Sequence, residues 1–268
     1  MIKKCLTIAG SDCSGGAGIQ ADLKAFSANG VYGASVISSV VAENTCRVIS
    51  VFNLPVSEIV AQIDAVFEDI EIDAVKLGML PSAEIINAVA DKLEQYKPKI
   101  VVCDPVLVAT SGDALSFGDT VSAMKERLFK NVDLITPNIS EAQALSEVEI
   151  TSLDDFDRAA EIIMRENVKN LLIKGGDFDG DCVDILYSRS SESVVFCGKR
   201  INSQNTHGTG CTLSSAIAAN LAKGMDMLEA IEKAKAYVEA AIESSFTVGK
   251  GHSPVNHFYE YHIEKGKA

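Results

Sequence analysis

The sequence lacks the marks of several protein classes. Its seven cysteines, Cys5, Cys13, Cys46, Cys103, Cys182, Cys197 and Cys211, are odd in number, and no two share CxxC spacing. A disulfide framework and a zinc site are therefore set aside, and a reducing cytosol is the simplest setting. There is no basic excess: 24 Lys and Arg stand against 37 Asp and Glu, a net charge of -13. Neutralising the phosphates of a nucleic acid needs a basic patch, so that partner class is excluded. A small anion is not, because a few local donors suffice to hold one. No apolar run is long enough to span a membrane, and the run inside MIKKCLTIAG is too short for a signal-peptide core. The expectation is a soluble cytoplasmic protein. There is no GxxxxGK[ST] P-loop, no GxSxG elbow and no HExxH.

What is present is ordinary for a globular protein. Of 268 residues, 47% are apolar and 23% charged. Apolar strand-like runs at 5–9, 33–41, 48–53, 74–77, 100–103, 134–135 and 171–174 alternate with segments of helical period. Those helices carry Ile19, Leu23 and Phe26, then Ile59, Ile63 and Phe67, then Ile85, Val89 and Leu93. Residues 183–187 and 194–197 read as an antiparallel pair. Two helices close the chain, one opening near Cys211 and ending at Gly224, the next carrying Leu228, Ile231, Val238 and Ile242. The pattern predicts an α/β fold, a mostly parallel central sheet flanked by helices, in a single domain over 1–268. Ligands of such sheets sit beyond the carboxyl ends of the strands.

Several strand ends carry chemistry. The first is Gly10-Ser11-Asp12-Cys13-Ser14-Gly15-Gly16-Ala17-Gly18, between a strand and a helix. Its glycines let backbone approach a ligand, and the helix start offers free N–H groups. Gly16 to Ala21 also matches a loose dinucleotide fingerprint, with Glu43 where a ribose-binding acid can stand. A ligand loop, an NAD-dependent oxidoreductase and a plain turn all remain open on this segment. Cys13 reads as a small buried residue.

The second is Thr206-His207-Gly208-Thr209-Gly210-Cys211-Thr212, opening an apolar helix. Successive N–H groups there form an anion nest aided by the helix dipole. A thiol at that position is expected to have a lowered pKa, so Cys211 can accept a proton. The third is Thr136-Pro137-Asn138-Ile139-Ser140-Glu141, where Asn138 and Glu141 share a helix face. They read either as a Mg²⁺ shell or as a helix cap. Lys174, beside Gly175-Gly176, can neutralise phosphates as a point charge. Asp104 ends another strand and reads as a metal-shell acid or a solvated charge. Residues 109–113 are small and polar and read as a lid. His252, His257 and His262 recur at five-residue spacing and read as surface residues.

Taken in order, GSDCSGGAGIQADLK, VAENT, KLGML, DPVLVATSGD, TPNISEA, KGG and HGTGCTLSSAIAA resemble the hydroxymethylpyrimidine and phosphomethylpyrimidine kinases of thiamine biosynthesis, within the ribokinase-like superfamily. The resemblance implies a three-layer sandwich, ATP and Mg²⁺. It also implies a small-molecule acceptor, 4-amino-5-hydroxymethyl-2-methylpyrimidine and then its monophosphate, and a homodimer. It assigns Cys211 as the proton acceptor, with Gly208, Thr209 and Gly210 as anion-hole donors. Lys174, Asn138, Thr206 and Gly210 fall to ATP, and Asp104, Asn138 and Glu141 to the metal. Gly10, Asp22, Glu43, Met79 and Val106 fall to the pyrimidine pocket. Where the family carries glutamine in a VAQNT-like stretch, this chain has Glu43. A carboxylate there favours a protonated ring, whereas an amide donates to a neutral one. A related branch with pyridoxal-kinase activity carries a lid cysteine, which Val108-Ala109-Thr110-Ser111 lacks, so an alcohol acceptor is favoured. Pyridoxal kinase, an NAD-dependent oxidoreductase and a non-catalytic binding protein are the alternatives.

Overall fold

The computed structural model describes residues 1–107, 118–176, 178 and 182–261. The lid expected at 109–113 and His262 lie outside the described residues.

Apolar β-branched runs form the sheet. Its strands are β1 (Lys4–Asp12), β2 (Tyr32–Asn44), β3 (Arg47–Asn53), β4 (Ala74–Leu77), β5 (Val101–Cys103), β6 (Leu134–Ile135), β7 (Asn170–Lys174), β8 (Cys182–Ser188) and β9 (Ser191–Gly198). They make one nine-stranded sheet in the order β3-β2-β1-β4-β5-β6-β7-β8-β9. From β2 to β7 every pairing is parallel. The β2–β3 hairpin and the β7–β8–β9 meander are antiparallel. The central strands β4 and β5 are buried at every position. A parallel strand covered on both faces takes that pattern.

The helices are α1 (Gly18–Ala28), α2 (Val56–Asp69), α3 (Ala83–Tyr96), α4 (Gly118–Ala123), α5 (Ile139–Ser146), α6 (Asp154–Met164), α7 (Thr209–Ala222) and α8 (Met227–Glu243). Two separate apolar clusters show the layers. One joins α2, α3, α5 and α6 to one face of the sheet. The other joins α1, α7 and α8 to the opposite face. The result is the three-layer sandwich that the alternating pattern predicts.

Helix α7 is buried from Thr212 to Ala222. Its run of Ser and Ala lets it lie close against β1, β4 and β5 beneath α1 and α8. Two helical stretches go beyond those expected, 118–131 and α6. The latter buries Phe156, Ala159, Ala160 and Ile163, spaced i, i+3, i+4 and i+7. The expected surface position of His257 is wrong. It is 4% exposed and lies 2.9 Å from Thr212 Oγ1 on α7. Burial and nearby Lys24 depress its pKa to about 4, so the ring is neutral.

Candidate active site

The carboxyl ends of β1, β2, β4, β5, β6 and β7 all open into one cleft of about 170 Å³. At the end of β1, Asp12 is 1% exposed and organises the first glycine loop. Its Oδ1 accepts the N–H of Ser14 at 2.7 Å. Its Oδ2 accepts the N–H groups of Gly16 and Ala17 at 2.9 and 2.7 Å, and His207 Nε2 at 2.9 Å. Burial opposes ionisation of Asp12, but these donors win and hold it below the usual carboxylate range. The same contact outweighs burial at His207 and raises its ring above the ordinary value.

The pair ties the first glycine loop to the second. Gly208 caps α7 at φ 77, in the left-handed region that favours glycine. A side chain there would collide with the Gly16 carbonyl. No side chain caps α7, so its first N–H groups lack a carbonyl partner within the helix; Thr209 N–H donates to the Thr206 carbonyl just ahead of it at 3.2 Å, and Gly208, Thr209, Gly210 and Cys211 all line the cleft.

The other wall is acidic with one cation. Lys174 Nζ lies 2.9 Å from Asp104 Oδ1, which also accepts from Thr136 Oγ1 at 3.1 Å. Burial opposes the ammonium, but Asp104 and Glu141 hold its pKa above the ordinary range. Asn138 and Glu141 form a capping box on α5: Glu141 N–H donates to Asn138 Oδ1 at 2.9 Å, and Asn138 N–H to Glu141 Oε2 at 2.8 Å. The helix-cap expectation for this pair is met, and both residues also line the cleft. Burial pushes Glu141 up to about 7, with Lys174 opposing and Asp104 reinforcing the shift. The walls meet at Gly210. A Cβ there would lie 3.2 Å from Lys174 Nζ and 3.4 Å from Asp104 Oδ2, so the start of α7 abuts the lysine.

Cys211 lines the cleft, but its predicted thiolate character is reversed. Burial pushes the thiol up to about 11, against the pull of Lys76 and the Gly18 N–H. The helix terminus is outweighed by the dry surroundings. A second correction concerns Asp22, which does not line the cleft. It is 0% exposed and paired with Lys76 Nζ at 2.8 and 3.0 Å. It also accepts from Thr7 Oγ1 at 2.6 Å and Ser215 Oγ at 2.7 Å. Four donor contacts leave it nothing to offer a ligand.

Of the remaining expected residues, Gly10, Glu43, Met79, Val106, Thr206, Thr209 and Gly210 all line the cleft. Met79 presses its methyl against Gly10, where a Cβ would sit 2.5 Å away. Val41, Val48, Met79 and Val106 give an apolar wall suited to a flat ring. Cys13 is exposed rather than buried. Its Sγ donates to the Glu43 carbonyl at 3.0 Å and accepts the Glu43 N–H at 3.4 Å, pinning β2 to the first loop. Sequence reasoning missed Asp12, His207 and Lys76 as site residues. Asp12 and His207 stand 195 positions apart, and no local pattern links them.

A donor-lined helix start, a lysine beside it, two carboxylates and an apolar pocket together suit transfer of a phosphoryl group to a small aromatic acceptor. Residues 12–256 match the family model described as phosphomethylpyrimidine kinase. The chain belongs to the phosphomethylpyrimidine kinase family. It is 47% identical over 259 residues to the hydroxymethylpyrimidine/phosphomethylpyrimidine kinase of Rhizobium meliloti, covering 96% of this chain and 97% of that protein. It is 48% identical over 253 residues to the thiamine biosynthesis bifunctional protein ThiED of Geobacter sulfurreducens. That match covers 94% of this chain, which spans about half (51%) of the bifunctional protein. Among solved structures, the pyridoxal kinase of Bacillus subtilis, crystallised with ADP, superposes at TM-score 0.90 and 37% identity, over 97% of this chain and 99% of that one.

As a member of this kinase family the chain is a phosphotransferase. The fold is ribokinase-like. Pyridoxal kinase enters as a structural neighbour, and the phosphomethylpyrimidine kinase family displaces the oxidoreductase reading of Gly16 to Ala21.

Proposed function

We propose that this cleft binds ATP with its terminal phosphate at the start of α7 and 4-amino-5-hydroxymethyl-2-methylpyrimidine, or its monophosphate, against the apolar wall. The meeting of Gly210 with Lys174 and Asp104 carries this reading. Backbone N–H groups of Gly208, Thr209 and Gly210 face the developing negative charge, and Lys174 and Thr206 hold the nucleotide phosphates. In-line transfer needs mainly positioning and charge stabilisation. Gly10, Glu43, Met79 and Val106 bind the pyrimidine.

The residues fit Mg²⁺. Asp104 and Glu141 bring two carboxylates to one lysine, and burial with like charge pushes Glu141 up, a donor set that gains from a hard cation. Asp104, Asn138 and Glu141 would hold it, and it would offset phosphate charge. Cys211 can take the acceptor's proton only as the thiolate, so it would first release its own proton to solvent, a state that Lys76 favours and burial opposes, and then receive the hydroxyl proton late in the transfer.

The chain works as one domain over 1–268, in the cytoplasm. No described helix is long and apolar enough to cross a membrane. The exposed Val40, Ile49, Val51 and Phe52 on the β2–β3 edge support a homodimer.

The deciding experiment is a crystal structure with a non-hydrolysable ATP analogue. The γ-phosphate belongs within hydrogen-bond reach of the Gly208–Gly210 amides; a terminal phosphate elsewhere refutes the site. In parallel, Lys174→Met should raise the ATP KM and lower kcat, and unchanged ATP kinetics would remove Lys174 from it.

A further inference from the structure

Ligating atoms of Asp12, Glu43 and His207 all lie within 4.8 Å of one another at the mouth of the cleft. Two carboxyl groups at that distance cannot both ionise cheaply, so one takes the proton. The hydrogen bonds decide which. Asp12 Oδ2 accepts from Gly16 N–H, Ala17 N–H and His207 Nε2, and Oδ1 from Ser14 N–H. A carboxylate with four donors is the one that stays charged. Glu43 has no comparable set. Its backbone is pinned by Cys13, and its half-buried carboxyl lies beside Asp12 and His207 where it lines the cleft. Three donors on Oδ2 also leave that atom no room for a metal bond.

We propose that Glu43 meets the acceptor as a neutral acid, its proton held toward Asp12 in the free protein, and that this proton turns to a ring nitrogen of the aminopyrimidine when the acceptor binds. The inference rests on the proposed acceptor site and specifies its hydrogen-bond pattern. In the acid form the O–H donates to the ring nitrogen while the C=O accepts from the amino group. One carboxyl therefore presents a side-by-side donor and acceptor, as a primary amide does. The expectation from sequence, a carboxylate selecting a protonated ring, is reversed.

The other groups bearing on the proton are consistent with this. Burial pushes Glu43 up to about 7, Asp12 reinforces the shift, and His207 opposes it. Lys24, whose ammonium donates to the Gly15 carbonyl at 2.6 Å, acts on Asp12. Arg47, near the β2–β3 turn, is exposed and screened. Asp104, Glu141 and Lys174 occupy the far wall of the same cleft.

Two measurements test the proposal. The first is the acceptor KM against pH at saturating ATP, for the wild type and Glu43→Gln. Above the titration of Glu43 the neutral fraction falls about tenfold per pH unit, so the wild-type KM should climb by roughly that factor. In Glu43→Gln the climb should vanish, because the amide keeps its donor. Any titration of the pyrimidine itself appears in both proteins and cancels in the comparison. Superimposable KM profiles would overturn the proposal.

The second needs no turnover. Infrared difference spectra of wild type against Glu43→Gln, both carrying ¹³C-carboxyl glutamate, should show a protonated carboxyl near neutral pH that is present only in the wild type and shifts when 4-amino-5-hydroxymethyl-2-methylpyrimidine is added. A spectrum without that band, or unmoved by the pyrimidine, overturns it. If no ADP forms with the pyrimidine at any pH, the acceptor assignment fails separately, and the infrared titration still decides the state of Glu43.

Discussion

Two ionic clusters of this protein have opposite designs. Beneath the cleft, Lys76 and Asp22 form a fully buried pair in which one cation meets one anion, with Thr7 and Ser215 completing the hydrogen bonds. At the cleft surface the signs do not balance: Asp104 and Glu141 share Lys174, and Asp12 and Glu43 share His207. A closed pair has nothing left to give a ligand and acts as scaffold. An incomplete one is held short of a proton, a metal ion or a substrate, which is where chemistry is found. Excess negative charge beside the proposed ATP site is what a site built for the cation that accompanies ATP would carry.

The largest effect should come from opening the closed pair. Lys76→Met strands a buried carboxylate, and such losses run to about 3–5 kcal/mol. Urea denaturation should show this, and adding Asp22→Asn should recover most of it. If the single substitution is silent, the pair is not the scaffold described here.

Next comes Cys211, which stands between the two designs. Cys211→Ala should slow the first phosphorylation by about a hundredfold, the range for loss of a proton acceptor. The second should suffer less, since its acceptor is already an anionic phosphate. Step-resolved ADP release separates the two, and equal losses would indicate a packing role.

The smallest effect is on stability against pH, and its sign distinguishes the clusters. Glu43 and Glu141, raised from 4.5 to about 7, bind protons more tightly folded than unfolded. Folding stability should therefore fall as pH rises from 4.5 through about 7. Asp12, shifted downward, has the opposite sense: its contribution is present above its unfolded value and is lost only in acid. Melting temperature across that window should decline in the wild type and flatten in Glu43→Gln combined with Glu141→Gln. An unchanged slope would mean these carboxyls titrate normally.

The sequence was most legible where chemistry is local. The apolar run at 74–77 coincides with β4, and the cap signature at Asn138 and Glu141 is a capping box. Lysine after a strand, glycines before a helix and Thr206 to Cys211 all reach the cleft. What failed depends on the third dimension. Spacing does not say which face of α1 Asp22 takes, and it turned inward to Lys76. The helix-terminus rule for Cys211 was sound but incomplete, because burial opposes it and cannot be read from a tetrapeptide. Lys76 sat unnoticed in a hydrophobic strand, and Asp12 and His207 were joined only by folding.

The segment leading out of the last helix has its own consequence. Ser253, Val255, Asn256 and His257 are buried. The segment bridges His207 through Pro254 and holds Thr212 through His257, so both flanks of the second glycine turn lean on it. A nick or early stop codon just upstream of Ser253 would remove no described residue that lines the cleft, yet it would leave the Thr206–Thr212 turn without its buttress.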